Sequence, residues 1–379
     1  MDFEPSEETR AIRELAADFA AAELAPNARA WDEGGIFPRA TCVKAAELGF
    51  GGLYVSEASG GAGISRLDAA VVFEELARGD TSISAFLSIH NMVAGLIDRF
   101  GTDALRAAFL PKLVTMETIA SYCLTEPGSG SDAASLRTRA VRDGDDYVLS
   151  GAKAFISGGG ASDLYLVMAR TGGEGPKGIS AILVPAGTPG LSFGANEKKM
   201  GWRNQPTAVV NFDGVRVPVA NRVGAEGDGF KLAMTGLDGG RINIAACSVG
   251  AAAECLDRAI RYTRERKQFG QPIADFQATR FRLADMATEL EAARLMVWRA
   301  AALLDAKSPK APQAAAMAKR FATDTGFRIV DEALQLHGGY GYLADYEIER
   351  FLRDTRVHRI LEGTNEIMRV IIARGLLDA

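Results

Sequence analysis

The chain of 379 residues is poor in the residue types that build metal cages and disulfide frameworks. Its four cysteines, Cys42, Cys123, Cys247 and Cys255, form no C-x-x-C pair, and its three histidines, His90, His337 and His358, show no ligand spacing. No metal centre and no disulfide scaffold are therefore expected, and a reducing compartment is the natural home. Excess positive charge is missing too. The 43 Lys and Arg against 48 Asp and Glu leave a net charge of −5, so no global field draws nucleic acid or anionic lipid. No apolar run approaches the ~18 residues a membrane span needs. The first residues, MDFEPSEE, are acidic, with neither a signal-peptide core nor an Arg-rich transit pattern. A cytoplasmic protein is expected, or one of the mitochondrial matrix if a transit peptide has been removed.

What is present is ample apolar material: 47% hydrophobic residues over this length can fill two or three cores. Residues 1–118 read as an N-terminal helical domain. Ser6 with Glu8 and Thr9 starts a helix that runs through Ile12, Leu15, Phe19 and Leu24 and is expected to end near Pro26. Further helices are expected at 39–48, 67–78, 81–100 and 103–115. The Gly60-Gly61-Ala62-Gly63 cluster has no strand–helix frame and reads as a turn, not a phosphate loop. Residues 119–226 change character. Short β-branched and aromatic runs (147–149, 154–156, 164–168, 179–184, 208–212) are split by turns, with Asp143-Gly144 and Asp213-Gly214 as hairpin signals. That spacing predicts a middle β-barrel domain. Residues 227–379 return to long helical patterns, over 229–264, 275–305, 312–336 and 345–354 and after Thr364, which read as a four-helix bundle. The fold class is α+β in the order helices, barrel, bundle.

One carboxylate stands out. In Arg359-Ile-Leu-Glu-Gly-Thr-Asn-Glu-Ile-Met-Arg369, Glu362 precedes Gly363 and the N-cap candidate Thr364. A carboxylate on a bendable turn anchored to a helix suits a general base, although most surface carboxylates do nothing chemical. Upstream, Tyr122-Cys-Leu-Thr-Glu-Pro-Gly-Ser-Gly-Ser-Asp132 offers backbone N–H groups and hydroxyls to a planar, polar-edged ligand. Arg241 follows a Gly pair, and Arg258 to Lys267 gather basic charge that could face phosphates.

These blocks, in this order, resemble the acyl-CoA dehydrogenase family over essentially the whole chain. The resemblance implies FAD as cofactor, an acyl-CoA substrate, an electron-transfer flavoprotein as redox partner, and a homotetramer built as a dimer of dimers. It implies Glu362 as the base that removes the α-proton. Tyr122, Leu124, Thr125, Gly130 and Ser131 would contact the flavin, with Ser131 also on the thioester side. Phe155, Ile156 and Ser157 of Gly151-Ala-Lys-Ala-Phe-Ile-Ser157 would lie beside the ring, Phe155 standing where many relatives carry Trp. Arg266, Phe276 and Gln277, then Gln335, Gly338 and Gly339, would hold the rest of FAD, the last group reaching a neighbouring protomer's cofactor. Thr364 and Glu366 would complete the flavin side. Asp238, Arg241, Gly363 and Arg374 are the further substrate candidates. Members specific for isovaleryl-CoA place their base immediately before the Arg of this segment; here that position is Gly240, which leaves the task to Glu362. Within the family the likeness favours a short branched acyl-CoA, isobutyryl-CoA converted to methacrylyl-CoA, ahead of 2-methylbutyryl- or butyryl-CoA. An acyl-CoA oxidase, or a non-catalytic flavin or acyl-CoA binding protein of the same fold, remains as an alternative.

Overall fold

A computed structural model of the chain describes residues 5–377. Six helices come first: α1 (Glu7–Phe19), α2 (Ala25–Gly34), α3 (Arg39–Glu47), α4 (Arg66–Gly79), α5 (Thr81–Phe100) and α6 (Asp103–Val114). Four of their starts are set by side chains that satisfy otherwise unpaired backbone N–H groups. Ser6 caps α1, Ser65 caps α4, Asp80 caps α5 and Thr102 caps α6. Pro26 does not end the first helix. One π-helical turn, Ala20–Leu24, follows α1, and Pro26 then sits in the first turn of α2, where its missing N–H costs nothing. The segment 60–63 is a turn, as expected.

The strands are β1 (Ala120–Cys123), β2 (Arg139–Asp143), β3 (Asp146–Ser157), β4 (Leu164–Arg170), β5 (Ile179–Pro185), β6 (Leu191–Phe193), β7 (Thr207–Pro218) and β8 (Arg222–Val223). They form one eight-stranded sheet in the order β6-β7-β3-β2-β4-β5-β8, with β1 added parallel to β4. Both faces of β4 are buried, which explains its unbroken apolar run. Leu164, Leu166 and Met168 pack toward Met92 and Leu96 of α5, while Tyr165, Val167 and Ala169 fill the interior with Tyr147, Val210 and Val217. The runs 147–149 and 154–156 belong to one strand, β3. Asp143 pairs with Asp146 across a tight hairpin at Gly144. Asp213-Gly214 is not a hairpin: Gly214, at φ +64°, is an extra residue inside β7 opposite the Leu149/Ser150 step, a bulge that bends the strand.

The remaining elements are α7 (Gly229–Glu265), the short pair β9 (Lys267–Gln268) and β10 (Gln271–Pro272), α8 (Gln277–Asp305), α9 (Ala311–His337), α10 (Ile348–Thr355) and α11 (Asn365–Leu377). Helix α7 is the axis of the molecule. It packs on α8 and α9, on α4 and α5 of the N-terminal helices, and on β5, and α11 packs along α9. Its small residues permit this: a Cβ at Gly250 would overlap the Glu74 carbonyl of α4, and one at Gly229 the Ser180 backbone of the sheet. All four cysteines are buried and unpaired. Among the described residues no helix is long and apolar enough to cross a membrane.

Candidate active site

Glu362 lies between a 3-10 turn (Arg356–Arg359) and α11, and its backbone is left-handed, at φ +55°, followed by Gly363 at φ +87°. For a residue with a Cβ that conformation costs roughly 1–2 kcal/mol and persists only where its surroundings enforce it. Two cations do so. Arg241 Nε donates to the Glu362 carbonyl at 3.2 Å, and Lys319 Nζ donates to the Gly363 carbonyl at 2.8 Å. Lys319 also reaches Asn365 Oδ1 at 2.9 Å, and Asn365 in turn donates to Thr323 and Asp324 of α9. Thr364 Oγ1 accepts from Ile367 N and so caps α11, with Glu366 exposed in its first turn.

The side chain of Glu362 is held differently from its backbone. Its Oε2 is shut off from solvent and has no hydrogen-bond partner. Burial pushes the carboxyl up to about 7, against the opposing pull of Arg241 and Lys319. Lys319, fully buried, is pushed down to about 7 by the same desolvation, opposed by Glu362. Arg241 pairs with Asp238 at 2.6 Å within α7. Gly240 is the floor beneath the carboxylate, since a Cβ there would lie 2.5 Å from Oε2. The absence of a side chain at 240 is thus what makes room for Glu362. The Tyr122 hydroxyl is another buried polar atom without a partner, its ionisation suppressed first by burial and then by the Glu362 charge. Two unpaired polar atoms near enough for one charge to act on the other are what a site for a polar ligand leaves behind.

The 122–131 segment forms the adjoining wall. After β1 it makes a tight turn bridged between Glu126 and Ser129, and Ala154 N donates to the Thr125 carbonyl at 2.9 Å, tying it to β3. Beneath it Lys153, buried, binds Glu126 at 2.8 Å and the Leu124 carbonyl at 2.9 Å, while Glu126 also accepts Arg137 N and Thr138 N. Leu124 is buried, Gly130 and Ser131 are exposed, and no atom stands within 4 Å of a Cβ built on Gly130. Phe155 is not core. It sits at φ +57° where the β3–β7 register slips, with 69% of its surface exposed. Ile156 points the other way, into the sheet interior, so only its backbone faces outward, and the Ser157 carbonyl accepts from Ser121.

A second group of the expected residues assembles at the far end of α9. Arg266, Gln335, Gly338 and Gly339 line a cavity of ≈ 410 Å³ together with Tyr262, His337 and Tyr340. Arg266 lies 5.5 Å from the Tyr340 ring, and Tyr262 stacks on His337. Phe276 and Gln277 open α8 immediately after the 3-10 turn at Ile273, which borders that cavity. Arg374 joins neither group, being exposed about 15 Å along α11 from Thr364 at the helical rise. Lys319, Asn365, Glu126 and Lys153, which hold the two loops in place, are not marked as such by the sequence. The signal for Lys319 was a cation directly after the alanine-rich run 314–318, on the apolar side of its neighbour Arg320.

Comparison with known proteins follows the same division of the chain. The model "Acyl-CoA dehydrogenase, N-terminal domain" matches residues 6–117, the middle-domain model 121–215 and the C-terminal-domain model 227–377. The chain is 58% identical over 372 residues to the mitochondrial isobutyryl-CoA dehydrogenase of Dictyostelium discoideum, covering 98% of this chain and 89% of that protein. Butyryl-CoA dehydrogenase from Megasphaera elsdenii has a TM-score of 0.97 at 39% identity, over 100% of both chains. A chain of the structure described as "Electron transferring flavoprotein of Acidaminococcus fermentans: Towards a mechanism of flavin-based electron bifurcation" has a TM-score of 0.98 at 41% identity, again over 100% of both.

Proposed function

From the premise that the chain belongs to the acyl-CoA dehydrogenase family, we propose that it carries out FAD-dependent α,β-dehydrogenation of a short branched-chain acyl-CoA, isobutyryl-CoA to methacrylyl-CoA. The observation that carries the reading is the unpaired Oε2 of Glu362, desolvated and titrating near 7, above a glycine that leaves room for a reacting group. A thioester α-proton is too weakly acidic for water to remove, and a carboxylate of raised pKa is a matched base for it. Glu362 accepts that proton at Oε2. Arg241 and Lys319 hold the loop and keep the carboxylate from drifting to a still higher pKa. The exposed Phe155 ring, the Leu124–Ser131 loop and Thr364 fit the edges of a planar flavin, and the Arg266–Gly339 cavity fits its phosphate and nucleotide end, as the open Cβ positions at Gly130, Gly338 and Gly339 allow. Bound FAD supplies the acceptor for the hydride that leaves the β-carbon.

The assignment of roles to Tyr122, Ile156, Ser157, Phe276, Gln277, Gln335, Glu366, Asp238 and Gly363 belongs to the same reading, as do domain limits at 118 and 226. So do electron transfer to an electron-transfer flavoprotein, a homotetramer and a cytoplasmic location. The test is an anaerobic titration of the purified flavoprotein with isobutyryl-, butyryl-, isovaleryl- and 2-methylbutyryl-CoA, following flavin absorbance. Bleaching fastest with isobutyryl-CoA is expected. Preference for another chain overturns the substrate, and no bleaching by any of them overturns the enzyme.

A further inference from the structure

We propose that the Arg66 guanidinium is the end wall of the acyl-binding space and the residue that restricts this enzyme to short acyl chains; the inference rests on the acyl-CoA reading above. Gly236, Gly239, Gly240 and Asn243 lie on one stripe of α7, at the spacing that stacks residues along a helix face. The places their side chains would take are filled from outside. A Cβ at Gly240 would meet the Glu362 carboxylate, and one at Gly239 would meet Nη2 of Arg66, both under 3.0 Å. Base and guanidinium are therefore side by side along the helix. With ~3.8 Å between successive α-carbons and ~1.5 Å per bond, they lie within about 12 Å of each other.

That spacing limits what fits. A reacting carbon takes about 3–3.5 Å from the base, and a carbon touching the guanidinium needs about 3.5–4 Å. At most about 5 Å remains for the chain beyond the α-carbon, and each added carbon lengthens it by roughly 1.3 Å along the axis, given bonds of ~1.5 Å. Four-carbon acyl groups pass; an octanoyl tail that runs along the glycine stripe does not.

The wall is rigid and charged. The Arg66 guanidinium lies flat on Tyr54, with its central carbon 3.7 Å from the ring centroid, and donates to Asn243 Oδ1 at 3.2 Å. Asn243 is fixed in turn by a bond to Ser88 of α5 at 3.0 Å. Arg66 Nε is buried without a partner, and among the described residues no carboxylate pairs with the group. An alkyl chain forced against it would strip water from a charge and return no hydrogen bond, a cost added to the steric one. The helix start does not depend on this side chain, because Asp305 caps the backbone N–H groups of Arg66 and Leu67.

The experiment measures kcat/KM of the holoenzyme for isobutyryl-, butyryl-, hexanoyl- and octanoyl-CoA in the wild type, Arg66→Ala and Arg66→Gln. The wild type should favour four-carbon substrates. Arg66→Ala should raise the octanoyl-to-isobutyryl ratio by about tenfold or more, the scale on which pocket methylenes discriminate, with Arg66→Gln in between. A variant that is merely loosened would lose rate on all substrates in parallel. Parallel loss, an unchanged ratio, or a wild type that already prefers octanoyl-CoA overturns the end wall while the dehydrogenase reading stands. A wild type that no acyl-CoA bleaches overturns both. If Arg66→Ala fails to retain FAD, the ratio in Arg66→Gln decides.

Discussion

As the proposed base, Glu362 has to be buried enough to be basic and charged enough to act, and the two neighbouring cations set that balance. Activity needs the carboxylate, so the rate of flavin reduction should rise with pH through about 7 and then level. Glu362→Gln should keep FAD and acyl-CoA binding while turnover falls by about 10²–10⁴ or more; near-normal turnover would remove the assignment. The charges facing Lys319 are Glu362 from the loop before α11, Glu366 from the first turn of α11, Arg241 from α7 and Asp324 from α9. Lys319→Met removes one of the two cations acting on Glu362, so the midpoint of the pH–rate profile should move to higher pH; an unmoved midpoint would reduce Lys319 to packing. The stability sign follows from the same shift. A carboxyl raised above its unfolded value favours the fold below about 4.5 and loses that advantage as pH rises through 7. Glu362→Gln should therefore raise the melting temperature relative to wild type at pH 8 but not at pH 4, read by calorimetry. Glu362 and Gly363 were legible because base, bend and cap are consecutive. Lys319 was not, because its acceptors lie 44 and 46 residues further on, and a lysine in a helix reads as a solvated face.

At the scale of elements, β3 shows how much a local pattern can and cannot carry. Its apolar alternation is readable at both ends, yet the residues alone do not say which way Phe155 points, and the register slip against β7 turns the ring outward. Because that ring is exposed, Phe155→Ala should change the stability of the apoprotein by less than about 0.5 kcal/mol. It should nevertheless weaken FAD retention, measured as flavin lost on gel filtration; unchanged retention would take Phe155 out of the flavin contact. Two residues earlier, Lys153 is buried against Glu126. Lys153→Met strands a carboxylate and should cost on the order of 3–5 kcal/mol, much of which Glu126→Gln should restore in the double variant. Loss that the second change does not relieve would mean that packing, not charge, holds the loop. Pro26 and Asp213-Gly214 misled in different ways: Pro26, a helix-stop signal, starts the next helix in its first turn, and Asp213-Gly214, a turn signal by composition, is absorbed into a bulge by the pairing of β7 with the distant β3.

At the scale of the whole molecule, α9 carries both groups of cofactor candidates. Lys319 supports the Glu362 loop, and Gln335 opens the second cavity 16 positions later, about 24 Å along the helix. The helices and sheet were legible because their periodicities are strong and mostly local; this separation was not, since it exists only once the helix is laid out in space. It bears directly on assembly. A cavity so far from the Glu362 carboxylate along one chain suits the cofactor of a neighbouring copy, so FAD retention should depend on the oligomer. Light scattering should give a mass near four times 40.3 kDa for the flavin-loaded protein. On dilution FAD should be released in step with dissociation, because a ligand held by two subunits stabilises their union by mass action. Arg266→Ala should make that release occur at higher protein concentration, while leaving the pH midpoint set by Glu362 where it was. A monomer that holds FAD at any dilution would confine the whole cofactor to one chain and return the Arg266–Gly339 cavity to the status of an ordinary helix end.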